Sequence, residues 1–337
     1  MRVVIYGAGA IGGVVGGHLA YVGQDVILIG RPGHVKAIQG HGLRFITPSG
    51  THILRLPAVI TPDHIDFGPD DVVFLCMKGQ NTEEALCDLR AVTEDVPIFC
   101  FQNGVRNEEL ATRYFPRVYG VRVLVGGVYF TDGEVIALRD PPGWLIMGRY
   151  PTGTDDLVEA MATKLRTARF LVMVTPDVMP YKWGKLMRNL ANAIGAITNA
   201  RGDDIDVIAK AARQEAQEIL TQAGIRWISA EELALEWPES TIQPCSSLPV
   251  EAQSSTWQSL ARRQGTIETD FLNGEVVRLA KKLGRQAPIN EGLLRISQEM
   301  AANRELPGKY TPAQLCALLR LDPSSYNSKG GDAWSKG

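Results

Sequence analysis

The chain has 337 residues, of which 45% are hydrophobic and 21% charged, and a formal net charge of −2 at pH 7. That length supports two domains with sizeable cores, and a nearly balanced charge gives no case for nucleic acid or an acidic membrane surface as partner. Cys76, Cys87, Cys100, Cys245 and Cys316 are odd in number and never in C-x-x-C spacing, which argues for free thiols and a cytoplasmic location rather than a disulfide framework.

The first element is a strand, Val3-Val4-Ile5-Tyr6, followed at once by Gly7-Ala8-Gly9-Ala10-Ile11-Gly12 and a helix-like stretch. The pattern is G-x-G-x-x-G, and a second strand, Val26-Ile27-Leu28-Ile29, follows at the distance expected of a dinucleotide-binding βαβ unit. Gly7 allows the tight turn, Gly9 lets the backbone approach a pyrophosphate, and Gly12 lets the helix pack on the sheet. The backbone N–H groups of Ala10, Ile11 and Gly12 would then face the phosphates at the helix N-terminus. Residues 3–24 carry no Asp, Glu, Lys or Arg, but their seven glycines argue against a membrane span or signal peptide. The second strand ends in Gly30-Arg31, with no acidic residue until Asp63. An acid there would bind the ribose 2′-OH of NAD. Arg31 suits the 2′-phosphate of NADP.

Strands and helices then alternate. Residues 43–46 and 53–56, joined through Pro48-Ser49-Gly50, read as a hairpin. Residues 72–76 form a continuous apolar run, as in a buried parallel strand, and a helix begins near Asn81 or Thr82. Further strands are expected at 97–101 and 118–125, in a hairpin of 128–130 with 135–138, and at 171–174. After Thr175-Pro176 helical spacing takes over at 180–199, 206–224, 252–263, 266–284, 290–304 and 311–320. The expected architecture is α/β: an N-terminal Rossmann-type domain over 1–176, an all-helical domain over 177–321, and a tail over 322–337 that lacks apolar periodicity and is expected to be disordered. The apolar positions of 276–283 suit either a core or a homodimer contact.

Three clusters carry polar chemistry. Lys78, in Met77-Lys78-Gly79-Gln80, and Asn103, in Gln102-Asn103-Gly104-Val105, each follow an expected parallel strand. Ligands of open α/β sheets bind beyond the carboxyl ends of such strands, so Lys78 can neutralise a phosphate and Asn103 can bind a nicotinamide ribose or the substrate. Asn103-Gly104 also reads simply as a turn. The third cluster is Trp183-Gly184-Lys185-Leu186-Met187-Arg188-Asn189-Leu190-Ala191-Asn192. On one helix Lys185, Asn189 and Asn192 fall at i, i+4 and i+7, a single polar face suited to a polar substrate or to solvent. No histidine or cysteine cluster has metal-ligand spacing, and no metal is expected.

These pieces, with Ser254-Ser255 and Glu268-Thr269-Asp270-Phe271-Leu272-Asn273-Gly274, make the chain resemble the ketopantoate reductase family, the 2-dehydropantoate 2-reductases. The resemblance runs from the glycine motif to about residue 304. It implies an NADP(H)-binding domain followed by a helical one, and reduction of a 2-oxo acid to a 2-hydroxy acid, with ketopantoate the default substrate. It implies that Lys185 is the general acid and that Glu268 holds a substrate hydroxyl. Asn103 would bind near nicotinamide and substrate, and Asn189 and Ser255 would orient the substrate; Asn192, on the same polar helix face, is a further candidate for substrate binding. The family usually carries its second helix asparagine eight residues after the lysine. Here that position is Ala193, and the asparagine stands one residue earlier. Two other readings stay open: a related NAD(P)-dependent dehydrogenase acting on another 2-oxo acid or a polyol phosphate, and a non-catalytic NADP-binding regulator.

Overall fold

The structure, a computed structural model, describes residues 1–243 and 253–321. Its contacts divide the chain into two compact units. One is Met1–Tyr181 with the segment that starts at Leu233; the other is Lys182–Glu232 with the chain from Gln253 onward. The tail expected to be disordered lies outside the described residues.

The first unit contains β1 (Arg2–Tyr6), β2 (Val26–Ile29), β3 (Leu43–Thr47), β4 (Gly50–Leu54), β5 (Ala58–Val59), β6 (Asp71–Leu75), β7 (Ile98–Cys100), β8 (Val118–Val125), β9 (Gly127–Val128), β10 (Glu134–Ala137), β11 (Gly143–Arg149) and β12 (Leu171–Val174). The main sheet has the order β12-β11-β8-β7-β6-β1-β2-β5. From β8 to β5 every neighbour pairs in parallel; β11 runs antiparallel to β8 and parallel to β12. The strand order reverses at β1, the position where an open α/β sheet forms its ligand crevice. Along β1, β2, β6 and β7 the side chains are buried on both faces, which is why these segments read as unbroken apolar runs.

Helices α1 (Ala10–Tyr21), α2 (Pro32–His41), α3 (Thr82–Arg90), α4 (Asn107–Thr112) and α5 (Asp156–Thr167) complete this unit. The glycines of α1 fall in two rows. A Cβ on Gly12 would strike Ile5 of the main sheet and one on Gly16 would strike Leu28 and Ile5, while a Cβ on Gly13 would strike Val135 and one on Gly17 would strike Phe45. The latter two belong to a second sheet, ordered β4-β3-β10-β9. Both hairpins expected from the sequence are present, β3 with β4 and β9 with β10, and a parallel β3–β10 pairing joins them into this sheet. Helix α1 is therefore packed on opposite sides by two sheets, and small residues on both faces make that possible.

The second unit is helical: α6 (Met179–Asn189), α7 (Ala191–Thr198), α8 (Asp203–Gln222), α9 (Ala230–Glu236), α10 (Ser255–Ala261), α11 (Asn273–Lys282), α12 (Pro288–Ala302) and α13 (Pro312–Leu318). The division between the units falls inside α6 and α9. Two helices expected as single pieces are interrupted. The one over 180–199 breaks at Leu190, and the one over 266–284 is a 3₁₀ turn, Glu268–Phe271, followed by α11. On α11 the apolar side chains are used within the chain, since Val276, Val277 and Ala280 are buried in the unit's own packing.

Candidate functional site

In the first unit the candidate cofactor residues converge because of strand order. β7, β6, β1 and β2 are consecutive neighbours, so the segments leaving their carboxyl ends lie side by side. Those segments carry Asn103, Lys78, Gly7–Gly12 and Arg31. Gly7 has φ +104°, and a Cβ there would lie 2.6 Å from the Met77 backbone nitrogen, so the Lys78 segment backs directly onto the glycine turn. The N–H groups of Gly7 and Ala8 both donate to the Ile29 carbonyl at 3.0 Å, which fixes the turn to the end of β2 just before Arg31. Arg31 itself is exposed and stands at the start of α2.

The start of α1 has the features of an anion site. Its N-cap residue is Gly9, no side chain caps it, and its first turn has no acidic residue. The N–H groups of Ala10, Ile11 and Gly12 are the donors that a helix start leaves without an intrahelical partner. A Cβ on Gly9 would meet nothing within 4 Å, whereas one on Gly12 would lie 2.3 Å from the Gly7 carbonyl oxygen. Space above Gly9 and tight packing beneath Gly12 fit the pyrophosphate of a dinucleotide.

Asn103 is held by a chain of buried polar groups. The Gln102 carboxamide donates to Thr82 Oγ1 at 2.7 Å, Thr82 donates to Asn107 Oδ1 at 2.9 Å, and Asn107 Nδ2 donates to the Asn103 carbonyl at 2.9 Å. Gly104 has φ +84°. The Asn103-Gly104 step is thus a turn whose backbone is tied to α3 and α4, which leaves the half-buried Asn103 carboxamide as the part that can face a ligand.

The second unit carries the other candidates. Lys185, Asn189 and Asn192 are each half-buried, while Leu186, Met187, Leu190 and Ala193 on the same stretch are buried. Ala193, which stands at the family's usual asparagine position, belongs to the apolar core of this unit. Gly184, just before the lysine, lies against the chain after α8: a Cβ there would sit 1.9 Å from the Ile228 carbonyl oxygen. Glu268 opens its 3₁₀ turn and is 3% exposed. Neither Lys185 nor Glu268 is an isolated group, as both engage neighbours. The two serines divide their work. Ser254 caps α10 by accepting from the Trp257 N–H at 3.2 Å, and Ser255, half-buried, is the first residue of that helix.

Two features escaped the sequence reading. His34, in the first turn of α2, is buried, and its Nδ1 accepts from the Gly133 N–H at 2.9 Å. Burial lowers its pKa against the opposing pull of Asp132, so it stays a neutral acceptor that ties the second sheet's hairpin to the Arg31 helix. The other is Asn273, whose buried carboxamide donates to the Leu190 carbonyl at 3.2 Å, 83 residues away. Among the described residues no cluster of His, Cys, Asp or Glu could hold a metal ion, and no helix is long and apolar enough to cross a membrane. Cys76, Cys87, Cys100 and Cys316 are free, and burial raises the Cys76 thiol pKa strongly; Cys245 lies outside the described residues.

Comparison with known proteins covers both units. Residues 3–152 match the family model "Ketopantoate reductase PanE/ApbA", and residues 177–301 match "Ketopantoate reductase PanE/ApbA C terminal". A 2-dehydropantoate 2-reductase of Pyrococcus horikoshii is 33% identical over 298 residues, which cover 86% of this chain and 94% of the relative. A PanE/ApbA family ketopantoate reductase from Ralstonia eutropha JMP134 superposes with a TM-score of 0.76 at 29% identity, covering 90% of this chain and 99% of that one. A D-mandelate dehydrogenase solved with NADH and anilino(oxo)acetate shares the fold, with a TM-score of 0.75 at 20% identity over 90% of this chain and 99% of that one. With both models matched in order and a relative above 30% identity along most of its length, the chain belongs to the ketopantoate reductase family of oxidoreductases.

Proposed function

We propose that the chain reduces a 2-oxo acid to the 2-hydroxy acid with NADPH, and that 2-dehydropantoate is the substrate. The observation that carries this reading is the composition of the second unit: an ammonium, Lys185, and two carboxamides, Asn189 and Asn192, all half-buried, in the same unit as the buried carboxylate of Glu268. That set matches a substrate with a ketone, a carboxylate and a hydroxyl. The P. horikoshii relative, named for this reaction, supports it.

Hydride comes from the reduced nicotinamide, which is the one piece of chemistry that the cofactor supplies. The residues supply position and charge. Lys185 stabilises negative charge as it grows on the ketone oxygen and passes a proton from Nζ to that oxygen. Glu268 accepts a hydrogen bond from a substrate hydroxyl. Asn189, Asn192 and Ser255 donate to the substrate carboxylate, and Asn103 of the first unit would hold the nicotinamide ribose. Ala10, Ile11 and Gly12 cradle the pyrophosphate with backbone N–H groups, Lys78 neutralises phosphate charge, and Arg31 pairs with the 2′-phosphate.

The buried Ala193 favours a second reading, a related reductase acting on a different 2-oxo acid, because the asparagine that would complete the polar face is offset by one residue. Oxidation of NADPH against 2-dehydropantoate and a panel of branched 2-oxo acids separates the two. Turnover of 2-dehydropantoate above all others supports the first; turnover of another oxo acid alone supports the second. Replacing Arg31 with alanine should raise KM for NADPH by about tenfold and leave that for NADH nearly unchanged. Equal use of NADH by the unaltered protein would defeat the role given to Arg31.

A further inference from the structure

The break between α6 and α7 is the least explained feature of the lysine helix. It is a single residue, Leu190, whose backbone stays in the right-handed helical region at φ −57° and ψ −32°. It separates Lys185 and Asn189 from Asn192. Its carbonyl receives the side chain of Asn273, the first residue of α11, which lies two residues past the end of the Glu268 turn. We propose that Asn273 is a positioning residue for the substrate site. Its carboxamide clamps the helix break at Leu190 to the end of the Glu268 turn, and so fixes Asn192 relative to Lys185, Asn189 and Glu268.

The clamp has a defined polarity. Asn273 Nδ2 also donates to Asn290 Oδ1 at 3.0 Å. Asn290 Nδ2 donates in turn to the Ala212 carbonyl at 2.9 Å and to Glu215 Oε1 at 2.8 Å. The Glu215 carboxylate also accepts from the N–H groups of Ile289 and Asn290, each at 2.9 Å. A carbonyl only accepts, and an ionised carboxylate only accepts. Asn290 must therefore turn its NH₂ towards Ala212 and Glu215 and its oxygen towards Asn273. Asn273 must then present its NH₂, with one proton for Asn290 and one for Leu190. The orientation of Asn273 is thus dictated by a chain of acceptors that ends on Glu215, a residue of α8. Asn273 and Asn290 are both fully buried, so water does not compete for these bonds.

The functional part of this inference rests on the proposed oxo-acid reduction, so the test reads both activity and local structure. Asn273→Asp keeps the side chain's shape and removes both donors; Asn273→Ala is measured alongside it. Ser297→Ala, which removes a different buried hydroxyl of the same unit, controls for general loss of stability. In Asn273→Asp, KM for the oxo acid should rise about tenfold or more while KM for NADPH stays within about twofold, the size of one lost buried hydrogen bond. Amide exchange over residues 191–195, at the start of α7, should accelerate about tenfold relative to α6. Ser297→Ala should do neither. An unchanged oxo-acid KM, or a parallel shift of both KM values, overturns the positioning role. If the unaltered protein turns over no 2-oxo acid, the proposed function fails instead, and exchange alone decides: unchanged protection at 191–195 overturns the clamp, and faster exchange confined there supports it. If neither variant folds, the Asn273 side-chain amide protons of the native protein are read directly. Slow exchange upholds the clamp and free exchange with solvent overturns it.

Discussion

Replacing Gly9 with alanine separates cofactor binding from folding more cleanly than any other change at the glycine turn. Beyond its chain neighbours the new Cβ would meet no protein atom within 4 Å, and Gly9 has a negative φ, −80°, outside the left-handed region that favours glycine. Two small effects on stability oppose each other. Alanine is a poorer N-cap than glycine by about 0.5–1 kcal/mol. It also restricts the unfolded chain, which stabilises the fold by about 0.4–1 kcal/mol. The net change in stability is therefore expected within about 0.5 kcal/mol of zero. Binding should respond differently, because the methyl group occupies the space where a pyrophosphate approaches the N–H groups of Ala10, Ile11 and Gly12. Loss of one hydrogen bond to a charged group costs about 1.5–3 kcal/mol, or about 10- to 100-fold in Kd. Isothermal titration with NADPH gives the affinity and a thermal melt gives the stability. Wild-type affinity in Gly9→Ala would refute the assignment of this turn to the cofactor. A large drop in melting temperature would refute the claim that the space above Gly9 is free of protein. Gly12→Ala is the contrast. Its Cβ would lie 2.3 Å from a backbone oxygen and 2.8 Å from Ile5 Cγ2, so affinity and stability should fall together.

Gly184→Ala would place a Cβ 1.9 Å from the Ile228 carbonyl oxygen, so α6 must shift; a loss of about 1–3 kcal/mol and reduced turnover are expected, and a variant melting with the wild type would contradict this packing. His18 gives a pH prediction. It is 8% exposed, with ring centroids 5.0 Å from Phe45 and 5.5 Å from Phe170, and burial lowers its pKa from 6.5 to about 4, helped by Arg169 and His52. A histidine with a lowered folded pKa binds more protons when unfolded. Its contribution is thus complete above pH 6.5 and is lost as pH falls from there to about 4, a span worth about 3 kcal/mol. Denaturant titrations across that range should show a steeper loss in the wild type than in His18→Leu; identical slopes would remove His18 as the cause.

Local signals explain what was legible in the sequence. At residues 3–31 an apolar strand, a glycine turn, a helix and a second strand reinforce one another within a short span, and the structure has each where the residues imply. The strand β11 was missed although Trp144-Leu145-Ile146-Met147 is a continuous apolar run bounded by glycines, a pattern that identifies a buried strand elsewhere in the chain. Helix α5 was missed although Asp155 caps it by accepting from the Val158 N–H. These two could have been read. The breaks at Leu190 and Leu272 could not, because helical spacing continues through both. The interruption at Leu190 meets a side chain 83 residues away, and the buried His34 finds its partner 99 residues away. A linear pattern carries helix period and capping, but not which distant carboxamide will meet a carbonyl. The polar face of Lys185, Asn189 and Asn192 could be counted off a helix; the bond from Asn273 to the Leu190 carbonyl could not.

Lys185 is proposed to supply the proton and the positive charge for reduction of a 2-oxo acid. Its most direct test is single-turnover oxidation of NADPH with 2-dehydropantoate in the wild type and in Lys185→Ala. NADPH affinity is measured on both proteins by titration. Removing a general acid costs about 10²–10⁴ in rate. Lys185→Ala should lose rate by that amount and keep NADPH affinity within about twofold of wild type, since Lys185 is assigned no contact that holds the cofactor. Wild-type turnover by Lys185→Ala would contradict it.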